Sequence, residues 1–302
     1  MSHLSTGGFM IQISHLTKIY PGGKGIFDVS FHVEEGEAFG FLGPNGSGKT
    51  TTIRQLMGFT NATEGYCTIK KLDTRTHAKE IQAYLGYVPG EISFFDNMTG
   101  TEFMDFISRM RGKSNPKRRQ MLVERFELES DRKIRKMSKG MKQKVGLITA
   151  FMHDPEILIL DEPTSGLDPL MQRRFIELIL EERSRGKTIL MSSHQFYEVE
   201  RSCQRAAIIK DGRIATVADI TELKSNLRKS YIVSVSGESD LEQIRLSGLP
   251  HQVLSNGHIE LTITGDYNLM LTTLAKCNVQ NLETATQTLE QIFIDYYGKE
   301  GF

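Results

Sequence analysis

The segment Gly43-Pro44-Asn45-Gly46-Ser47-Gly48-Lys49-Thr50 constrains the fold of this chain more than any other. It has the spacing G-x-x-x-x-G-K-S/T, follows the apolar run Ala38 to Leu42, and precedes the helix-compatible run Thr51 to Met57. A strand that turns through glycines into a helix points consecutive backbone N–H groups and the positive helix end at one place, which suits a polyphosphate. In that arrangement Gly43, Asn45, Gly46, Ser47, Gly48 and Thr51 cradle the phosphates, Lys49 reaches the outer ones and Thr50 offers a hydroxyl to magnesium. An ordinary glycine-rich turn is the bland alternative, and the complete motif in its proper context speaks against it.

A second run supports the same chemistry. Ile157-Leu158-Ile159-Leu160 is an apolar strand that ends in Asp161-Glu162, so two carboxylates emerge at a strand's carboxyl edge, where α/β folds bind ligands. Such a pair can divide the labour: Asp161 helps hold hydrated magnesium, and Glu162 orients or deprotonates the water that attacks the terminal phosphate.

From Met10 to about Leu223, short apolar runs alternate with helical stretches and glycine-rich turns, the rhythm of an α/β domain. Ala38 to Leu42, Ile157 to Leu160 and Thr188 to Ser192 read as its strands, the last two as central strands covered on both faces. Within it, residues 91–140 form a helical insertion, with apolar residues at helical spacing in Thr101 to Arg111 and Pro116 to Phe126. Residues 228–302 read as a separate, small α+β domain. Strands at Tyr231 to Val235, Ile259 to Ile263 and Val279 to Glu283, a further strand-like run before Asn256-Gly257, and helices at Ser239 to Ser247 and Asn268 to Lys276 give the order βαββαβ of the ferredoxin-like arrangement. Asn256-Gly257 predicts a type I′ hairpin turn. Leu289, Ile292, Phe293, Tyr296 and Tyr297 predict one docked face of a last helix. No ordered structure is expected for Met1 to Phe9, and Met10 could equally be the first native residue.

Composition narrows the partners. The chain of 302 residues carries 37 basic and 37 acidic side chains, so no global field favours nucleic acid or anionic lipid. Its three cysteines, Cys67, Cys203 and Cys277, are widely separated, which argues against a disulfide framework or a zinc site and for a reducing cytoplasm. No run approaches the roughly 20 apolar residues of a membrane-spanning helix.

With these residues in place, Met10 to about Leu223 resembles the ATP-binding cassette (ABC) family of P-loop NTPases. Met137-Ser138-Lys139-Gly140-Met141-Lys142-Gln143 looks like the family signature, Ser165-Gly166-Leu167-Asp168 like the D-loop, and His194 like the switch histidine. The resemblance implies ATP and Mg2+ as cofactors, a second cassette whose ATP would be gripped by Ser138 and Gly140, and His194 as a sensor of the γ-phosphate. Tyr20 resembles the aromatic that stacks on adenine, with a packing tyrosine as the alternative. Two positions depart from the common pattern. Gly90 stands where the family's loop glutamine is usual, leaving Glu91 as a neighbouring oxygen donor that could substitute, and Lys139 stands where glycine is commoner.

The Val88-Pro89-Gly90-Glu91 loop, the signature and the run Leu289 to Tyr297 are similar to bacterial ABC-2-type exporter and drug-resistance ATPases. That resemblance implies an ATP-hydrolysing subunit at the inner face of the cell membrane, powering a separate multi-span permease that docks beside Gly90-Glu91 and the helical insertion. The rival is a soluble ABC ATPase acting on ribosomes or DNA, whose usual marks, two cassettes in one chain or long coiled coils, are missing. The tail beyond Leu223 either braces the dimer or binds a regulator.

Overall fold

Three strands, Ala38–Leu42, Ile157–Asp161 and Thr188–Ser193, have every residue buried, as a parallel sheet covered on both faces requires. The computed structural model describes residues 9–95, 97–225, 229–254, 256–263 and 267–286. In order, its elements begin β1 (Ile11–Ile19), β2 (Gly25–Val33), β3 (Ala38–Leu42), α1 (Lys49–Leu56), β4 (Glu64–Ile69), β5 (Leu72–Asp73), α2 (Ala78–Gln82), β6 (Leu85–Val88) and α3 (Gly100–Arg111). They continue with α4 (Pro116–Arg125), α5 (Lys139–Phe151), β7 (Ile157–Asp161), α6 (Pro169–Ser184), β8 (Thr188–Ser193), α7 (Phe196–Ser202), β9 (Arg205–Lys210), β10 (Arg213–Asp219) and α8 (Ile220–Ser225). The last are β11 (Lys229–Val235), α9 (Glu238–Leu246), β12 (His251–Val253), β13 (Ile259–Ile263), α10 (Asn268–Leu274) and β14 (Val279–Thr286). Two compact units divide between Ile220 and Thr221.

The first unit is built on a six-stranded sheet of order β10-β9-β3-β8-β7-β6, parallel except for β10. The β7–β8 register sets Asp161 beside Ser192, so the acidic strand end and the strand leading to His194 finish together. A second, antiparallel sheet of order β2-β1-β4-β5 was not separated from the α/β rhythm by sequence reading. The reason is local: the β1 ladders shift register around His15, and His15 and Asp28 adopt left-handed backbone at φ 49 and 54. Such irregularities break the two-residue alternation that marks a strand. Both sheets share one core, in which Phe31 of β2 lies 5.3 Å from Phe39 and 5.0 Å from Phe41 of β3.

The second unit is a four-stranded antiparallel sheet of order β12-β13-β11-β14. Val233, Ile259, Leu261 and Ile263 project from one face and bury Ile244 of α9 and Met270 and Leu274 of α10. The expected hairpin joins β12 and β13, but its turn is longer than the expected two-residue type I′ form. Leu254 pairs with His258, its N–H donating to the His258 carbonyl at 2.8 Å, and Gly257 donates to the Leu254 carbonyl with φ 81. A three-residue loop with glycine in the left-handed position is the next commonest solution to a hairpin. The predicted last helix, Leu289 to Tyr297, lies outside the described residues.

Two helices, α3 and α4, lie within the expected insertion. Thr99 caps α3 by accepting from the Glu102 N–H while the Glu102 side chain accepts from the Thr99 N–H, and Asn115 with Pro116 opens α4. The insertion is fastened to the sheet layer by a buried ion cluster. Arg118 of α4 lies 2.7 Å from Glu182 of α6 and donates at 2.9 Å to the carbonyl of Phe151, the last residue of α5. Lys187 and Arg185 bind the same Glu182, at 3.0 and 3.1 Å, and both also bind Asp154. Burial opposes the charges of both carboxylates, yet their cationic partners prevail. The Lys187 and Arg185 hydrogen bonds hold the Asp154 carboxyl at about 2, and Arg118 and Lys187 hold that of Glu182 below its ordinary range.

Removing Arg118 takes one charge-assisted hydrogen bond from the buried Glu182, which Lys187 and Arg185 still hold. Arg118→Ala should therefore cost about 2 kcal/mol at pH 7 by urea unfolding. A carboxyl depressed on folding contributes stability above its unfolded pKa and loses it as pH falls through the folded one. The penalty of the variant should accordingly shrink below about pH 4.3 as Glu182 becomes protonated.

Candidate nucleotide site

The loop between β3 and α1 is shaped by two glycines in left-handed backbone, Gly46 at φ 80 and Gly48 at φ 112. Gly48 is the N-cap of α1, makes no side-chain cap bond, and no acidic residue follows in the first turn. That helix end keeps its positive potential and free N–H groups for an anion. The Gly212 N–H donates to the Ser47 carbonyl at 3.0 Å and fixes the loop to the β9–β10 turn. Ser47 is buried with no partner for its hydroxyl, Asn45 is exposed at the loop tip, and Thr50 and Thr51 are half-buried in the first turn of α1.

Lys49 is 5% exposed, and its ammonium is held by what surrounds it. Nζ donates to the Gly43 carbonyl at 2.7 Å and to the Pro44 carbonyl at 3.1 Å, and lies 3.1 Å from Glu162 Oε1. The other Glu162 oxygen, Oε2, is 2.6 Å from Nδ1 of His194. Glu162 has φ 48, a conformation that costs a non-glycine residue about 1–2 kcal/mol. Its N–H donates to Ser192 Oγ at 3.0 Å, which helps to keep the chain in that turn and the carboxylate between Lys49 and His194.

Asp161 is fully buried. Oδ1 accepts from Ser192 Oγ at 2.6 Å, and Oδ2 is a buried oxygen without a partner. A Cβ placed on Gly90 would stand 3.0 Å from that oxygen, so glycine at this position leaves the space in front of it open. An unpaired carboxylate oxygen and a threonine hydroxyl are hard donors, and the set fits Mg2+. Glu91, next to Gly90, is exposed.

The signature residues form a second group. Ser138 is the exposed N-cap of α5 and accepts from the Met141 N–H at 3.2 Å. A Cβ on Gly140 would fall 2.6 Å from the Gly166 carbonyl, and Gln143 donates to the Pro163 carbonyl at 2.7 Å, so α5 begins against the loop that follows β7. Asp168 closes that loop by capping α6 through the Met171 N–H at 3.0 Å. Among the described residues no hydrogen bond or ion pair joins Ser138 or Gly140 to the phosphate loop. Tyr20 follows β1 with its ring 36% exposed and the Lys18 ammonium 5.7 Å from the ring centre.

Sequence reasoning missed the hydroxyls that knit the site together, Ser192, Ser193 and Thr164, and the buried carboxylate Glu198. The available signal was two serines closing an otherwise apolar strand that ends beside the acidic pair.

A family profile described as ABC transporter matches residues 26–165. An uncharacterized ABC transporter ATP-binding protein of Bacillus subtilis, YxlF, is 31% identical over 303 residues, covering 94% of this chain and 98% of the relative. The linearmycin resistance ATP-binding protein LnrL of the same organism is 29% identical, covering 96% of this chain and 99% of the relative. Among solved structures, an ATP binding subunit of an ABC transporter superposes with TM-score 0.65 at 28% identity, over 71% of this chain and 92% of that one. A dimeric bacterial ABC transporter cassette, at TM-score 0.63 and 24% identity over 70% of this chain and 99% of its own, shares the fold. Together with a phosphate loop, an acidic strand end and a histidine gathered at one sheet edge, this similarity along nearly the whole length means that the chain belongs to the ATP-binding, ATP-hydrolysing proteins of ABC transporters.

Proposed function

We propose that this chain powers an exporter by closing as a pair of cassettes, each ATP lying between the phosphate loop of one copy and the Ser138–Gly140 helix start of the other. The observation that carries the catalytic part is the position of Glu162, bound by Lys49 at 3.1 Å and His194 at 2.6 Å at the mouth of the loop. Lys49 is the group that turns to the γ-phosphate, which frees Glu162 to orient and deprotonate the attacking water. His194, 43% exposed, donates to the γ-phosphate and holds Glu162 in place. Gly43, Asn45, Gly46, Ser47, Gly48, Thr50 and Thr51 cradle the phosphates, and the exposed ring of Tyr20 stacks on adenine. Thr50 and Asp161, with Glu91 as a further donor, would hold Mg2+, which neutralises charge on the phosphates.

The exposed position of Ser138 supports the paired reading, since its helix start faces no phosphate of its own copy. The permease is a multi-span membrane protein that docks beside Gly90-Glu91. Exposed aromatics lie in the insertion and against β6: Phe95, 55% exposed, is 5.4 Å from Phe106 of α3, and Phe59, which follows α1 and is 53% exposed, is 5.6 Å from Tyr87. Among the described residues no helix is long and apolar enough to cross a membrane, so attachment to the inner face of the membrane runs through that partner. Similarity to a relative named for linearmycin resistance supports export.

We assign residues 10–223 to the cassette and 228–302 to an accessory domain. Its strand order β12-β13-β11-β14, all antiparallel, supports a ferredoxin-like arrangement.

Glu162→Gln should bind ATP as the native chain does, lose turnover by about 100-fold or more, and accumulate as an ATP-bound dimer in size-exclusion chromatography. Glu91→Ala should lower ATP turnover by about 10-fold if its carboxylate replaces the usual glutamine, and unchanged turnover would remove it from the ion's ligands. Tagged chain recovered from detergent-solubilised membranes of its host should bring down a multi-span protein in stoichiometric amount, and its consistent absence would refute the docking.

A further inference from the structure

Glu198 lies in the first turn of α7 and is 1% exposed, yet the hydrolysis described above makes no use of it. Its two oxygens are bound to two different loops. Oε1 accepts from the hydroxyl of Thr164, two residues beyond Glu162, and Oε2 accepts at 2.8 Å from the hydroxyl of Ser193, the residue before His194. Both donors are themselves buried, Thr164 at 3% and Ser193 at 1% exposure.

The surroundings are built to keep this bridge still. Ser193 Oγ also accepts from the Gln195 N–H at 2.9 Å, which shapes the turn that presents His194. The Ser202 hydroxyl donates to the Glu198 carbonyl at 2.6 Å. One residue along α7, Val199 packs so closely on β3 that a Cβ on Gly40 would stand 2.2 Å from it. Glu198 is therefore fixed to the same strand that leads into the phosphate loop. Burial pushes its carboxyl above the ordinary range, while the two hydroxyl donors and His194 oppose that shift and Glu162 adds to it. A buried carboxylate is an expensive way to fill space, and an apolar residue would serve packing better.

We propose that Glu198 is a positioning residue for ATP hydrolysis: by joining Thr164 to Ser193 it sets the loop bearing Glu162 against the turn bearing His194, without touching nucleotide. The proposal rests on the reading of Glu162 and His194 as the catalytic pair. A displaced pair leaves the phosphate loop intact, so the step that suffers is chemistry rather than binding.

The test is steady-state ATPase kinetics on the full chain, with the fraction of nucleotide-binding sites titrated in each variant. Glu198→Ala should lower kcat by about 10-fold or more while KM for ATP and the binding stoichiometry stay within about two-fold. Glu198→Gln, which keeps the shape and one accepting oxygen, should recover most of that loss. Thr164→Val and Ser193→Ala, which retain the carboxylate and keep the idea testable should Glu198→Ala fail to fold, should each lower kcat alone. Neither should add to the loss in Glu198→Ala, as expected of members of one network. Unchanged kcat in Glu198→Ala, KM rising in step with the fall in kcat, or losses that multiply in the double variants would overturn the proposal. Glu162→Gln, run alongside, separates the two failures. If it is inactive while the Glu198 series behaves as native, only the bridge is lost; if it turns over normally, the catalytic pair itself is wrong and the bridge falls with it.

Discussion

The ammonium of Lys49 is the charge around which this end of the sheet is arranged. At 5% exposure it has given up most of its water, and it is stable there because two loop carbonyls and the Glu162 carboxylate replace that water at 2.7 to 3.1 Å. A buried cation without such partners would lose its proton or unfold its surroundings. The two carbonyls belong to residues preceding the helix, so holding the ammonium also bends the loop into the curve that leaves the N–H groups of α1 free. The same contact ties the loop to the acidic end of β7, and through Glu162 to His194 of the next strand.

Strand register does the rest of the alignment. Because β7 and β8 are parallel with Asp161 opposite Ser192, one serine hydroxyl serves both neighbours, donating to Asp161 and accepting from the Glu162 N–H. A slip of one residue would turn Ser192 to the opposite face and leave the Asp161 carboxylate and the Glu162 N–H without this partner. The neighbouring serine turns to Glu198 instead, so successive residues of β8 brace opposite sides of the site. Satisfying buried polar groups in this closed fashion makes the geometry rigid, since each member is held by at least one other.

The helical insertion obeys a different logic. Beside the buried Leu122 and Phe126, charged contacts fasten it: the Arg118 guanidinium joins Glu182 of α6 and the end of α5, and Arg174 of α6 donates to the Arg125 carbonyl at 2.6 Å. Since α5 begins at Ser138 and packs against the loop after β7, that fastening also determines where the signature lies relative to Glu162. A charged anchor is more directional than an apolar one, which suits an element that must keep its orientation while its exposed helix start remains available.

Much of the molecule was written in local sequence. The phosphate loop, the three buried strands β3, β7 and β8, the helices α3 and α4, and the strands β11 and β13 follow from motif spacing and periodicity, because each depends on neighbours within a few residues. The loop residues, Asp161 and Glu162 were proposed from the same kind of local signal, a strand end or a helix start, whereas His194 was proposed only from the resemblance to the ABC family. What the sequence alone did not disclose were the antiparallel sheet β2-β1-β4-β5, whose bulges at His15 and Asp28 erase its alternation, and the length of the Leu254–His258 turn. Nor did it reveal that Glu198 bridges Thr164 and Ser193, or that the space before Asp161 is kept open by Gly90. The Glu198 bridge and the approach of Gly90 to Asp161 join residues from 5 to 71 positions apart, and only the tertiary fold, by choosing strand order and register, decides which distant groups come together.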